Sequence, residues 1–412
     1  MRNYLLLISF SFAAAALAQS PLSQNPLGNG PLSEIFTPNL HIDLAASSID
    51  GAEYDDLLLG AHDPNDDFVV QGIEPAVSLR TDYLEGFANW NFFYDGDEWG
   101  DENEEAFLKL VNLPGDVSIR GGRMLARFGD QNPKHLHARD WRDSPFVLTS
   151  FLGDEGLVFE GGDITVPLNF VSGANVALTV GFGDAREHDH HGDEDDHGHD
   201  DEHGDEDEGH HDDEDGDHHD EDEGDHHDED EHGHDDGDEH HDDDEEHGHS
   251  EEELAFANEL ATVRLVAGWN NTDFHQFKSG VSVAFGEDED GEDLTVSGVD
   301  LTYTWRENGF EPDGRELRWT TEVLMRDHDD SQFGASSQAL YRFDSPLAAG
   351  LRVGMLELEE DDLFRVSPLL AWHAHENAIV RLQGNHIELP EGDAQSVTLG
   401  LSMRLGPDGE VR

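Results

Sequence analysis

The 412-residue chain has no cysteine. Disulfides and thiolate metal sites are therefore excluded, and the fold must rest on burial and hydrogen bonding. Basic residues are scarce: 22 Lys and Arg stand against 96 Asp and Glu, for a formal net charge of -74 at pH 7. A chain without a basic face cannot grip phosphates, so nucleic acid is excluded as a partner and cations are what its field attracts. Long apolar runs are also missing. The one such run, Tyr4 to Leu17, follows Met1-Arg2-Asn3 and ends at an Ala16-Leu17-Ala18 site, which reads as a secretory signal peptide over residues 1–18. Past it, no stretch reaches the ~18 apolar residues of a spanning helix. Helical periodicity is scarcely visible, and no Ser/His/acid arrangement suggests an enzyme. An exported chain of this kind is periplasmic, secreted or an outer-membrane β-barrel.

What the chain has in excess lies between Glu187 and His249. That tract uses only Asp, Glu, His and Gly, and it holds 18 of the 27 histidines. With nothing apolar to bury and like charges throughout, it is expected to be a disordered loop, bounded as 187–253. Gly216–Glu223 (GDHHDEDE) recurs unchanged as Gly224–Glu231, a repeat that suggests composition is selected and geometry is not. The composition suits divalent metal, zinc above all, at many weak and exchanging sites. The candidate ligands are His188, His190, His191, His197, His199, His203, His210, His211, His218, His219, His226, His227, His232, His234, His240, His241, His247 and His249. The tract holds 36 of the 96 acids, leaving 60 acids against 22 bases elsewhere, so the body of the chain is acidic too.

On both sides of the tract the pattern changes to a period of two. Leu40/Ile42/Leu44, Ala88/Trp90/Phe92/Tyr94, Val176/Leu178/Val180/Phe182, Val299/Leu301/Tyr303/Trp305 and Val397/Leu399/Leu401/Met403/Leu405 each mark a strand with one apolar face. Long connections (Ser47 to Asp67, Asp95 to Glu104, Ala126 to Leu152, then the tract) alternate with short ones, as in an outer-membrane barrel with long external loops. The expected fold is all-β, a transmembrane antiparallel β-barrel of about 16 strands, bracketed by 14 and 18. Its expected parts are a lead-in over 19–38, barrel over 39–186 and 254–405, and a tail over 406–412 that puts no aromatic at the end of the last strand. Trp269, Trp305, Trp319, Tyr341, Phe343 and Trp372 fall at one end of their strands and Trp90, Phe92, Tyr94 and Trp99 at the other, a two-girdle pattern. Alternation alone leaves open a soluble sandwich whose apolar face meets another sheet.

Residues 121–153 are the richest part of the chain. Gly129, Asn132, His135, His137, Asp140, Asp143 and Pro145, followed by Phe151-Leu152-Gly153, fit a G-x-x-N-x-x-H-x-H-x-x-D-x-x-D-x-P loop and an F-L-G segment. With Pro38-Asn39-Leu40, Glu316 to Trp319, Gln338 to Phe343 and a His-rich loop after the seventh strand, the chain resembles porin-like outer-membrane proteins described as zinc-regulated and labelled TonB-dependent-receptor-like. The resemblance implies a barrel in the bacterial outer membrane with lipid and divalent cations as partners; an oligomer stays open. Physically, His135, His137 and Asp140 could bind metal in a loop folded into the barrel mouth. Otherwise they pack the loop, Arg139 and Arg142 pairing with Asp140 and Asp143. His41, His62, His275, His328, His373, His375 and His386 read as ordinary polar positions. The expected function is a porin-like channel with an external metal-gathering loop. The alternatives are a TonB-dependent-type receptor, against which only about twenty residues precede the first strand where a plug domain is needed, and a surface protein that sequesters metal without transport.

Overall fold

A computed structural model describes residues 35–51, 60, 62–64, 68–96, 98–169, 172–185, 256–288, 291–311, 314–328, 331–357, 362–390 and 392–407. The signal peptide, most of the lead-in and the His/acid tract lie outside the described residues. The described chain runs through β1 (Phe36–Asp50), β2 (Phe68–Arg80), β3 (Leu84–Tyr94), β4 (Trp99–Leu110), β5 (Ser118–Leu125), β6 (Val158–Pro167), β7 (Ala174–Ala185) and β8 (Glu259–Thr272). It continues through β9 (His275–Glu287), β10 (Asp293–Arg306), β11 (Glu316–Asp327), β12 (Ser331–Arg342), β13 (Leu347–Glu357), β14 (Asp362–His375), β15 (Ala378–Leu389) and β16 (Gly392–Leu405). Each strand pairs antiparallel with its neighbours in sequence, and β1 closes the ring on β16 with Leu40 opposite Leu405 and Asp50 opposite Gln395. The result is a closed 16-strand barrel without a free edge. β1 begins at Phe36, three residues ahead of the Asn39 expected from the alternation.

Burial along the strands is inverted relative to a soluble protein. Val77, Leu108, Leu265, Val281, Val299, Leu351, Leu370, Leu382 and Val397 are between 41 and 55% exposed, while Asp43, Glu74, Asn91, Asp300, Arg352, Ser367 and Gln383 are under 4%. The alternating apolar face therefore points outward and the polar face inward. This decides against a sandwich, because no second sheet covers the apolar side. Trp269, Trp319, Phe343 and Trp372 are exposed at the end that carries the barrel's termini, and Trp90, Phe92 and Trp99 towards the other, which gives the two girdles. The long connections, 51–67, 126–157 and 186–258, all leave that second end. By loop length it is the external one. Asp95 to Glu104 is not a long loop, since β4 already starts at Trp99; Asp101, Glu102 and Glu104 lie on the strand, and Glu102 and Glu104 meet His62 and His135.

Candidate functional site inside the barrel

Residues 126–157, between β5 and β6, do not project outward. They turn into the barrel, with a 3-10 turn at Leu136–Ala138 and a short helix, α1, at Phe146–Leu152. α1 is apolar on nearly every side, with Phe146, Val147, Leu148, Phe151 and Leu152 all buried. It packs with Phe128 and Leu157 against inward Phe87, Phe107, Leu260, Leu294, Val296, Leu324 and Leu356. The wall is thinned where the segment presses on it. A Cβ on Gly354 would stand 2.6 Å from Phe146 Cε1, and one on Gly400 2.8 Å from Arg142 Cδ. Polar bonds fasten the same segment all round. Arg142 is fully buried, donating to Asp43 Oδ1 at 2.7 Å, Ser402 Oγ at 2.8 Å and Gln71 Oε1 at 2.9 Å. Trp141 Nε1 donates to the Ser367 carbonyl at 3.0 Å, Arg352 pairs with Asp143, and Lys278 reaches Asp130 at 2.9 Å. The segment thus crosses the interior from wall to wall.

Along β1–β4 the contacts are of a different kind. His135 Nε2 lies 2.7 Å from Glu105 Oε2, its Nδ1 3.4 Å from Glu104 Oε2, and His137 Nδ1 2.9 Å from Glu74 Oε2. His41, opposite Glu74 in the β1–β2 register, stacks on His137 with ring centroids 3.7 Å apart, and His135 lies parallel to His137 at 5.6 Å. Towards the external end His62 Nε2 meets Glu102 Oε1 at 2.7 Å, beside a cavity of about 50 Å³ that His62, Glu102, Glu104 and His135 help to line. A local irregularity builds the row. β4 carries one extra residue between Glu102 and Glu105, opposite Asn91 and Asn89, and this bulge turns the consecutive acids Glu104 and Glu105 towards the same histidine. Burial would lower the pKa of His135, but its bonds to Glu104 and Glu105 outweigh that and raise it well above the ordinary value. His62 is treated likewise: burial opposes its charge, and Glu102, with Glu104 and Glu155, pushes its pKa up to about 9.

Of the residues expected in a site, His135 and His137 come together and Asp140 does not: its carboxylate pairs with Arg318 of β11. The pairing of Arg139 and Arg142 with Asp140 and Asp143 is overturned too. Arg142 bonds to Asp43, Asp143 takes Arg352, and Arg139 donates to Ser144 and the Lys134 carbonyl. The acids and arginines meet the wall because a segment lying inside a polar barrel finds fixed partners there. His41 and His62, read as ordinary polar positions, belong to the row. Glu74, Glu104 and Glu105 were missed; for the latter two, the unbroken polar run from Asp101 to Glu105, ahead of Ala106/Leu108/Leu110, was the available signal. The tract histidines, His188 to His249, lie outside the described residues.

No family model and no curated protein sequence matches this chain. Among solved structures it is similar to OprB of Pseudomonas putida at high pH, with TM-score 0.53 and 10% identity over 91% of this chain and 95% of that one. It is also similar to the anion-selective porin of Comamonas acidovorans, with TM-score 0.51 and 8% identity over 90% of this chain and 99% of that one. At such identities the likeness is one of fold. A closed porin-type barrel with an apolar outer belt and aromatic girdles sits in the bacterial outer membrane.

Proposed function

We propose that this protein is an outer-membrane channel for divalent cations, gathered outside by the His/acid tract and conducted along the acidic wall of β1–β4. The observation that carries the reading is the row from His62 and Glu102, through His135, Glu104 and Glu105, to His137, Glu74 and His41. Carboxylates and imidazoles in succession give a cation replacement ligands at each step, and of the buried strand arginines, Arg264, Arg326, Arg352, Arg365 and Arg381 stand on β8, β11 and β13–β15, while Arg120 of β5 lies 4.0 Å from Glu105. Zinc suits this mixture of nitrogen and oxygen donors. The test is single-channel conductance of the refolded mature chain in a planar bilayer, with and without zinc, beside a variant lacking 187–249. Cation-selective steps that zinc alters, more strongly with the tract present, are the expected result. Silence from a folded, inserted chain overturns it.

The apolar filling around α1 favours a second reading, in which the barrel binds metal and passes nothing unless the segment is drawn aside, as in a receptor opened by an energised partner. Uptake that stops when the inner membrane is de-energised distinguishes that case from passive conduction.

A further inference from the structure

We infer that Glu74, Glu104 and His135 form a discrete site for one divalent first-row transition-metal ion inside the barrel. One ligand atom from each of the three lies within 4.8 Å of the others. A metal at the centre of such a triangle reaches each ligand at ~2.0–2.2 Å after small rotamer changes. Glu74 is 1% exposed, and while one of its oxygens pairs with His137, the other, Oε1, is buried without a hydrogen-bond donor. An orphaned carboxylate oxygen is costly to bury, and a cation is what would satisfy it.

The surroundings are those of a metal-binding histidine. Glu105 engages Nε2 of His135, which leaves Nδ1 facing Glu104, so the ring is oriented by a carboxylate on its far side. Glu105 is itself held, accepting the Leu125 amide at 2.8 Å. The ligands come from β2, from the β4 bulge and from the fastened inner segment, so their spacing is set by the barrel. Imidazole with two carboxylates suits zinc, cobalt, manganese or iron in the divalent state better than calcium or magnesium, which favour oxygen alone, and better than copper(I), which favours sulfur. Three protein ligands leave coordination positions for water, and the cavity beside His135 supplies the room. As a waypoint for cations the site rests on the channel reading above; its occupancy can be measured without it.

The test uses the full mature chain, loaded with Zn²⁺ and then washed with citrate to strip weak sites, with metal per chain read by mass spectrometry. The expected result is one retained ion per chain, lost in Glu74→Gln and His135→Ala and kept in Asp140→Asn. Glu105→Gln is expected to weaken retention by about 10–100-fold. Anomalous diffraction at the zinc edge should place the peak between Glu74, Glu104 and His135. Folding of each variant is checked by heat-modifiable migration, and if His135→Ala fails it the near-isosteric Glu74→Gln carries the test. No retained ion in the wild type, unchanged retention in Glu74→Gln, or a peak elsewhere overturns the site. A retained ion in a barrel that never conducts leaves the site standing and removes the channel reading; conductance without a retained ion does the reverse.

Discussion

At the scale of single residues, Arg142 holds the inner segment to the closing seam of the barrel. Its guanidinium joins Asp43 of β1 and Ser402 of β16, the two strands that complete the ring, and its amide donates to Gln383 Oε1 at 2.8 Å. Arg142→Ala leaves the Asp43 carboxylate buried without its partner, a loss of about 3–5 kcal/mol for a buried pair broken on one side. Arg142→Lys keeps the charge but cannot reproduce the planar fork, so it is expected to fall between the two. Urea unfolding in detergent, followed by tryptophan fluorescence, ranks the three proteins. His62 gives a pH-dependent counterpart. Its folded pKa of about 9 stands above the ordinary value of 6.5, so the bond to Glu102 stabilises fully below pH 6.5 and the contribution disappears as pH rises through about 9. Proteolysis of the 51–67 connection should accelerate between pH 7 and 10 in the wild type. His62→Gln should remove that dependence, and an unchanged profile in the variant would count against the ion pair.

At the scale of elements, α1 is held by shape as much as by bonds. Gly354 and Gly334 leave room for Phe146 and Val147, where added Cβ atoms would come within 2.6 and 2.7 Å of the helix side chains. Gly354→Leu cannot be accommodated by one rotamer, so α1 must move off β13. Because position 354 lies on a strand whose ladder partners, Ser336 and Arg365, are unaffected, the barrel itself should persist. Larger or more frequent conductance steps at unchanged β content by circular dichroism are expected; a wild-type trace would mean α1 does not limit passage.

The wall of strands was legible in the sequence, since a lipid-facing apolar residue at every second position writes itself into Val299/Leu301 or Val397/Leu399 without reference to any partner. The filling was not. Trp141 meets Ser367, Arg142 meets Ser402 and Arg352 meets Asp143, contacts that join distant parts of the chain and leave no local trace. A weaker signal did exist in strands whose alternation fails at the external end. Val323-Leu324-Met325, Met355-Leu356 and Leu363-Phe364 place apolar residues on both faces, and their inward members Leu324, Leu356 and Leu363 line the apolar filling. The His-x-His pair was legible as chemistry, but its ligand partners were not, because the β4 bulge and the β2 register supply them from elsewhere in the ring.

At the scale of the whole molecule, two sources of negative charge act on an approaching cation, and salt distinguishes them. The tract carries 36 of the 96 acids, and charge in contact with water is screened beyond ~10 Å at 0.1 M salt and ~3 Å at 1 M. Glu74 and Glu105 are buried in the wall, where screening by salt reaches far less. Reversal potentials across a KCl gradient are therefore expected to show strong cation preference at low salt that drops when 187–249 is removed. At ~1 M the full and shortened chains should converge on a common residual preference set by the wall. Glu74→Gln should reduce that residual, since it removes an interior charge without changing the shape of the lining. If the preference instead vanishes entirely at high salt in the wild type, the outer charge alone selects the ion and β1–β4 contribute no pathway. If it persists undiminished in Glu74→Gln, the path does not pass Glu74 and runs along another acidic part of the lumen.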